Sequence, residues 1–301
     1  MSANNENLNG IILMTLAMLA FAIDDMFLKL LTKTVPIGQS MFLMGIGSSV
    51  VFYILVKRSG GTILNKSLFE FPMLLRSAGD LVGTFGMFIA LALIPLTTVA
   101  AIMQALPLLV ILAAVFFLNE KVGLKRWIAV ISGIFGMLLI VKPGTETFNI
   151  HTLFAVIGVI GMTVRDIGSR LAPKRIKSEF MAFYASMMVI PLGVLIILFE
   201  KELKPITFVE GVYLICLILL GTFAYHAMTI AVRMGDISAI APVRYTRLFF
   251  AMIIGAIIFR EQPDFYTIIG AGIIVISGLY AFLREAKVRS SIEINTNDQT
   301  P

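Results

Sequence analysis

Arg244 and Arg247 sit three residues apart inside "APVRYTRLFF", a stretch otherwise apolar enough for a bilayer core. That spacing puts both guanidinium groups on one helical face, with Tyr245 beside them. A charge deep in a bilayer is costly, so it faces a partner or a water-filled cavity. Two arginines in such a cavity suit an anionic group such as a substrate carboxylate. Arg247 lies about ten residues into its apolar run, near the midplane at about 1.5 Å per residue. Arg244 lies one turn nearer the end, where snorkelling to the interface accounts for it as readily as ligand binding does. Pro242, just before them, removes a backbone donor and frees a carbonyl, which opens a helix at a site.

Other polar groups recur at comparable depths. "GMTVRDIGSRL" carries Arg165 and Asp166, and Asp166 is the candidate counter-ion of Arg244 or Arg247. The competing reading lets Arg165 and Arg170 simply end their helix at the cytoplasm. "FAIDDMFLKLL" holds Asp24 and Asp25, with Lys29 one turn on. Asp25 and Lys29 are spaced to pair on their own helix. The alternative is a protonatable carboxylate, its pKa raised by burial, that exchanges protons with a gradient across the bilayer. Adjacent side chains point about 100° apart, so Asp24 and Asp25 cannot both face one partner closely. Arg76 and Asp80 share the pairing spacing, with Arg76 reaching the cytoplasmic interface. Gln104 in "AAIMQALPLL" is a candidate cavity hydrogen-bonder, and Pro107 a kink. His226 is a packing histidine or a proton relay.

The same residues exclude other chemistry. The chain has 2 histidines, far apart, and 1 cysteine, Cys216. No metal-ligand spacing, disulfide or acid–base constellation follows, so neither an enzyme nor a resident metal or cofactor is expected. "GIGSS", "GIFGM" and "GAGII" follow no strand; they supply small residues for helix packing rather than nucleotide loops. With no nucleotide-binding element, an energised step would draw on an ion gradient or exchange, with protons or a counter-substrate as partners. The net charge of +6 points away from nucleic acid, because the basic residues cluster at the ends of apolar runs.

The elements that position these groups are transmembrane helices. The composition is 58% hydrophobic and 14% charged, against about 25% charged in a soluble domain, so the lipid bilayer is the solvent. Ten apolar runs approach the roughly 20 residues that a span needs: 10–32, 38–56, 72–93, 97–118, 125–142, 152–172, 179–199, 207–232, 238–259 and 265–283. The polar start lacks a signal peptide's basic region, so the first run stays as a span. With the N-terminus placed inside, only Lys33, Lys142, Lys201, Lys204 and Arg260 mark the outer side, and the inner side is far richer in Lys and Arg. Both termini are therefore expected in the cytoplasm.

An internal repeat supports this. At an offset of 141 residues "TTVAAIMQALPLLVILAAVFFLNE" lies over "SAIAPVRYTRLFFAMIIGAIIFRE". Asp25 falls on Asp166, Lys29 on Arg170, Lys33 on Lys174 and Glu120 on Glu261. Each copy holds five spans, an odd number, so the second enters from the opposite side. The expected fold is an all-α integral membrane protein of ten transmembrane helices in two inverted-topology repeats. Residues 1–143 form the first repeat, 144–285 the second, and 286–301 a disordered cytoplasmic tail.

Over nearly its whole length the sequence resembles the drug/metabolite transporter superfamily, and within it the EamA-type ten-helix carriers. The fourth and fifth spans, "IPLTTVAAIMQALPLLVILAAVFFLNEKVGLKRWIAVISGIFGMLLIVKP", carry the resemblance most specifically, with "LLRSAGD" at the start of the third. "DDMFLKLL", "APVRYTRL" and "REQPD" are most similar to the branch containing S-adenosylmethionine uptake carriers. The resemblance implies a secondary carrier working by alternating access in a bacterial inner membrane. It also implies S-adenosylmethionine or a related amino-acid derivative as substrate. Export of amino acids or toxic metabolites, and riboflavin-type vitamin transport, stay open, as does monomer against homodimer. By this reading Arg247, Arg244, Tyr245, Asp166, Gln104 and His226 bind the substrate. Asp24, Asp25, Arg165, Arg76 and Asp80 serve coupling or ion pairing.

Overall fold

The computed structural model describes residues 3–59, 69–118, 123–146, 148–173, 176–234 and 240–297. Glu120 and Lys174, two of the repeat matches, lie outside these residues. Among the described residues the chain is helical, without strands. The helices are α1 (Ala3–Leu31), α2 (Ile37–Arg58), α3 (Phe71–Leu93), α4 (Leu96–Met103), α5 (Leu106–Leu118) and α6 (Leu124–Val141). There follow α7 (Thr152–Leu171), α8 (Ser178–Glu200) and α9 (Phe208–Met234). A 3-10 segment (Ala241–Tyr245) leads into α10 (Thr246–Ile258), and α11 is Phe265–Asn297. With α4 and α5 taken together, 8 spans among the described residues are long and apolar enough to cross a bilayer, and Phe265–Ala281 is a shorter apolar helix.

The expected runs 38–56, 72–93, 125–142 and 152–172 coincide with α2, α3, α6 and α7 to within two residues. α1 starts earlier, at Ala3, and α11 continues to Asn297, through much of the stretch read as a tail. Proline sets several starts. Pro36 and Pro95 precede α2 and α4, and Pro72 occupies the first turn of α3, where a missing N–H costs nothing.

The helices pack in cross-half pairs: α1 with α9, α2 with α8, α3 with α7, α4 with α10 and α6 with α11. The α2–α8 pair is antiparallel, since Gly38 meets Ile197 while Gly45 meets Ile190. In α3–α7, Gly86 meets Phe154 and Gly158, and Gly168 meets Arg76, so this pair is antiparallel too. The approach here is close enough to require glycine. A Cβ on Gly86 would lie 2.5 Å from the Gly158 nitrogen, and one on Gly136 of α6 would lie 2.7 Å from the Gly270 carbonyl of α11. Small residues let helices meet by backbone contact where lipid supplies no hydrophobic drive. "GIFGM" and "GAGII" serve this role, and the α3–α7 seam is a stronger instance. Large apolar side chains such as Phe116, Phe199, Ile257 and Ile276 stay on the surface, the face a bilayer covers.

Glutamates close two helix starts across the halves. Glu200, the last residue of α8, accepts the backbone N–H of Ile37 at 3.1 Å and of Gly38 at 2.9 Å. Glu261, beyond α10, accepts those of Leu96 at 2.7 Å and Thr97 at 2.9 Å. A carboxylate at a helix N-terminus satisfies orphan donors and favours the helix dipole.

Candidate functional site

The interruption between α4 and α5 falls at Gln104 and Ala105, one turn before Pro107. Proline cannot donate to the carbonyl four residues back, here Met103, so the ladder opens at that turn. In the second half the 3-10 segment begins with Ala241 and Pro242 and gives way to α10 at Thr246. At the repeat offset Gln104 falls on Tyr245, so both halves change helix geometry at matching positions. The sequence-based reading of Pro107 as a kink and Pro242 as a helix-opener is what the structure contains.

A cavity of about 260 Å³ lies against these two irregular segments. α1, α3 and the α4–α5 junction contribute to its wall, as do α7, α9, the 3-10 segment and α10, with Met44 from α2. Arg244, Arg247, Arg165, Asp24, Asp25 and Gln104 all line it. Tyr245 does not: its ring is buried and its hydroxyl lies against Gly278 of α11 without a hydrogen-bond partner. His226 does not either. It is on the exposed face of α9, while its neighbour Tyr225 faces the cavity, because adjacent helical residues point about 100° apart. Asp166, Asp80 and Arg76 lie off the wall.

The ion pairs differ from those the local spacing suggests. Arg247 bonds Asp25, not Asp166: its Nη2 and Nε lie 2.7 Å and 3.2 Å from Asp25 Oδ2. The guanidinium also sits 5.0 Å from the Phe21 ring centroid, a cation–π contact. Asp25 therefore does not pair with Lys29. Lys29 turns to Glu261 at 3.7 Å and to the carbonyls of Leu91 and Ile94. Asp166 bonds the adjacent Arg165 at 2.9 Å and 3.0 Å, and Arg165 reaches Asp80 at 3.5 Å. Arg76 does not pair with Asp80. It is buried and donates to the Met181 carbonyl at 2.9 Å. The repeat explains the first exchange. Leu106 stands where the second half has Arg247, so Asp166 has no counterpart of Asp25's partner. Arg165, which replaces Asp24 at that offset, supplies the charge instead.

Among the described residues, two charged groups of the cavity form no ion pair. Arg244 Nη2 meets the thioether of Met228, at 3.4 Å. Asp24 Oδ1 is shut from solvent and accepts no hydrogen bond. Gln104 is buried and borders the cavity. The rest of the wall is largely apolar, with Met18, Met44, Met87, Met103, Met162 and Met228 prominent. That methionine lining was not anticipated; its only sequence signal was the count of 17 methionines. The pairing of Lys29 with Glu261 was also missed, although the repeat had singled out both residues.

Residues 8–142 and 149–283 each match the EamA-like transporter family. The chain belongs to that family. It is 30% identical to an S-adenosylmethionine uptake transporter of Rickettsia prowazekii (strain Madrid E), over 94% of this chain and 96% of that one. It is 24% identical to a pseudopaline exporter of Pseudomonas aeruginosa (strain UCBPP-PA14), over 89% of this chain and 94% of the relative. A solved crystal structure 18% identical aligns with a TM-score of 0.60 over 95% of this chain and 98% of its own, a likeness of fold. The family and these relatives make the chain a multi-pass membrane transporter of small metabolites rather than an enzyme.

Proposed function

We propose that this transporter carries S-adenosylmethionine or a related amino-acid derivative across the bacterial inner membrane by alternating access. The observation that carries the reading is one cavity faced by charged and polar groups of both halves: Asp24 and Gln104 from the first, Arg165 and Arg244 from the second. Carrier sites lie near the midplane at a repeat interface, beside interrupted helices. The α4–α5 break and the 3-10 segment are such interruptions. The Rickettsia relative favours S-adenosylmethionine and uptake. The pseudopaline relative favours export, so direction is the second reading.

Ten spans in two inverted repeats, with both termini cytoplasmic, is the topology we infer. The helix pairing supports it. Exchanging each span for its repeat mate turns α1–α9 into α7–α3 and returns α2–α8 and α6–α11 to themselves. α2 and its mate α8 are antiparallel, as an inverted pair must be.

At about 260 Å³ the cavity is smaller than the roughly 300–1,000 Å³ of drug-sized ligand sites. It suits an amino acid as it stands, and a nucleoside-bearing ligand requires it to widen. Lys29, one residue beyond the cavity-lining Leu28, ties α1 to the α3–α4 corner and to Glu261. In the inferred topology this is the outer end, so this cluster is the outer gate.

Uptake of labelled S-adenosylmethionine, amino acids and riboflavin into proteoliposomes, with and without a pH gradient, tests the reading. Saturable uptake of S-adenosylmethionine, competed by unlabelled substrate, is expected. Flux of none of the panel in either direction would overturn it.

A further inference from the structure

We propose that Arg244 and Asp24 form the two ends of a clamp for a zwitterion, Arg244 taking the ligand's carboxylate and Asp24 its cationic group. The proposal rests on the carrier reading above and adds the residues that select the ligand. It departs from the sequence-based expectation in one respect: Arg247, the deeper arginine, holds the protein together, and Arg244 holds the ligand.

The charges around the cavity separate into satisfied and open groups. Arg247 and Asp25 neutralise each other at 2.7 Å. Arg165 is held between Asp166 and Asp80. Among the described residues no carboxylate is within ion-pair distance of Arg244, whose one contact is a weak thioether acceptor. Asp166 is off the cavity wall and already bonded to Arg165. Asp24 borders the cavity with one carboxylate oxygen enclosed and unbonded. Buried polar groups without partners are rare because they forgo a hydrogen bond that water would supply. A ligand carrying one anionic and one cationic group completes both at once.

The spacing of the two ends sets the size of the ligand's polar part. Asp24 Oδ1 lies 3.1 Å from where a Cβ on Gly221 would be, and Arg244 meets Met228 on the same helix, α9. Gly221 and Met228 are seven positions apart, about 10 Å along the helix axis, and the lean of side chains toward the helix N-terminus shortens the axial offset between the two contacts to about 8–10 Å. Allowing about 2.8 Å for each contact leaves about 2–4 Å along that axis between the ligand's opposite charges. That separation belongs to an amino acid: its carboxylate against the α-ammonium, or against a cation a few bonds along the side chain. The methionine-rich wall is apolar, polarizable and adaptable, so the remainder of the ligand is an apolar or sulfur-bearing side chain.

The test is a crossed comparison of analogues and variants on the full-length protein in nanodiscs. The probes are L-methionine, its methyl ester, which lacks the carboxylate charge, and 4-methylthiobutyrate, which lacks the amine. S-adenosylmethionine is compared with its decarboxylated form in parallel. The wild type should prefer each zwitterion by roughly ten- to a hundredfold over its charge-deleted analogue, the contribution of a charge-assisted hydrogen bond. Arg244→Gln should abolish the preference over the ester and keep that over 4-methylthiobutyrate; Asp24→Asn should do the reverse. Loss of folding cannot generate that crossed pattern. Equal binding of the analogues by the wild type, or loss of both preferences in both variants, overturns the clamp. Absence of binding by every probe also overturns it, while uptake of another metabolite keeps the carrier reading. Crossed binding with no flux of any zwitterion keeps the clamp and overturns the carrier reading.

Discussion

Removing Asp25 should strand Arg247 in the interior, and the cost can be worked from the pair's geometry. The two groups meet at 2.7 Å and 3.2 Å, and their side chains are only 9% and 17% exposed. At an effective dielectric constant of about 20 and a charge separation of about 3–4 Å, attraction is about 4–5 kcal/mol. Desolvation of both groups cancels much of this, so the intact pair contributes little net stability. Stranding one charge costs about 3–5 kcal/mol. Asp25→Asn and Arg247→Gln should each lower stability by that amount. The double variant should lose far less than their sum, giving a coupling of about 2 kcal/mol or more. Reversible unfolding in mixed micelles, with all four proteins of the cycle, measures it. Coupling under about 0.5 kcal/mol would refute the reasoning, because independent sites behave that way. Wild-type stability in Arg247→Gln together with lost transport would return Arg247 to the ligand.

Lys29→Met should open the outer end of the cavity, since Lys29 bonds two carbonyls and Glu261; labelling of a cysteine introduced at Leu91 should rise at least roughly tenfold if these charge-assisted bonds hold the gate. Unchanged labelling would remove Lys29 from the gate. Gly86→Ala should destabilise by about 1–3 kcal/mol through overpacking of the α3–α7 seam, where the added carbon falls 2.5 Å from the Gly158 nitrogen; a neutral effect in the same unfolding assay would contradict that geometry. Asp264, between α10 and α11, gives a pH signature: partial burial pushes its carboxyl up, but hydrogen bonds from Lys142 and Thr267 outweigh this and hold it below the usual carboxylate range. A depressed native value means stability present at neutral pH and lost as pH falls through that lowered value, so Asp264→Asn should destabilise at neutral pH and not in strong acid. The difference should be modest and shrink in high salt, because the carboxylate is 48% exposed.

Much of the scaffold was legible because its signals are local. An apolar run of span length reads as a helix wherever it lies, and α2, α3, α6 and α7 follow the expected limits closely. Prolines 107 and 242 marked the irregular turns by backbone chemistry that no neighbour can alter. Arg244, Gln104 and Asp24, singled out because a polar residue at that depth needs a reason, all border the cavity. Side-chain direction was less legible. Tyr245 and His226 share their helical segments with cavity residues yet face Gly278 and the outer surface. One residue's rotation decides which way each points.

From the sequence alone came the apolar runs, the 141-residue repeat, the family resemblance and the depth of each charge. These depend on composition and periodicity along one chain. Which carboxylate meets which guanidinium was decided only in three dimensions. Asp25 and Lys29 have the spacing of a helical pair, yet each bonds a residue more than two hundred positions away. A pair within one helix gains little, about 0.2–0.5 kcal/mol, and packing α1 against α10 brings each charge to a partner on α10 or just beyond its end. That rearrangement leaves Arg244 and Asp24 open to the cavity, a distinction between otherwise similar charges that no spacing rule contains.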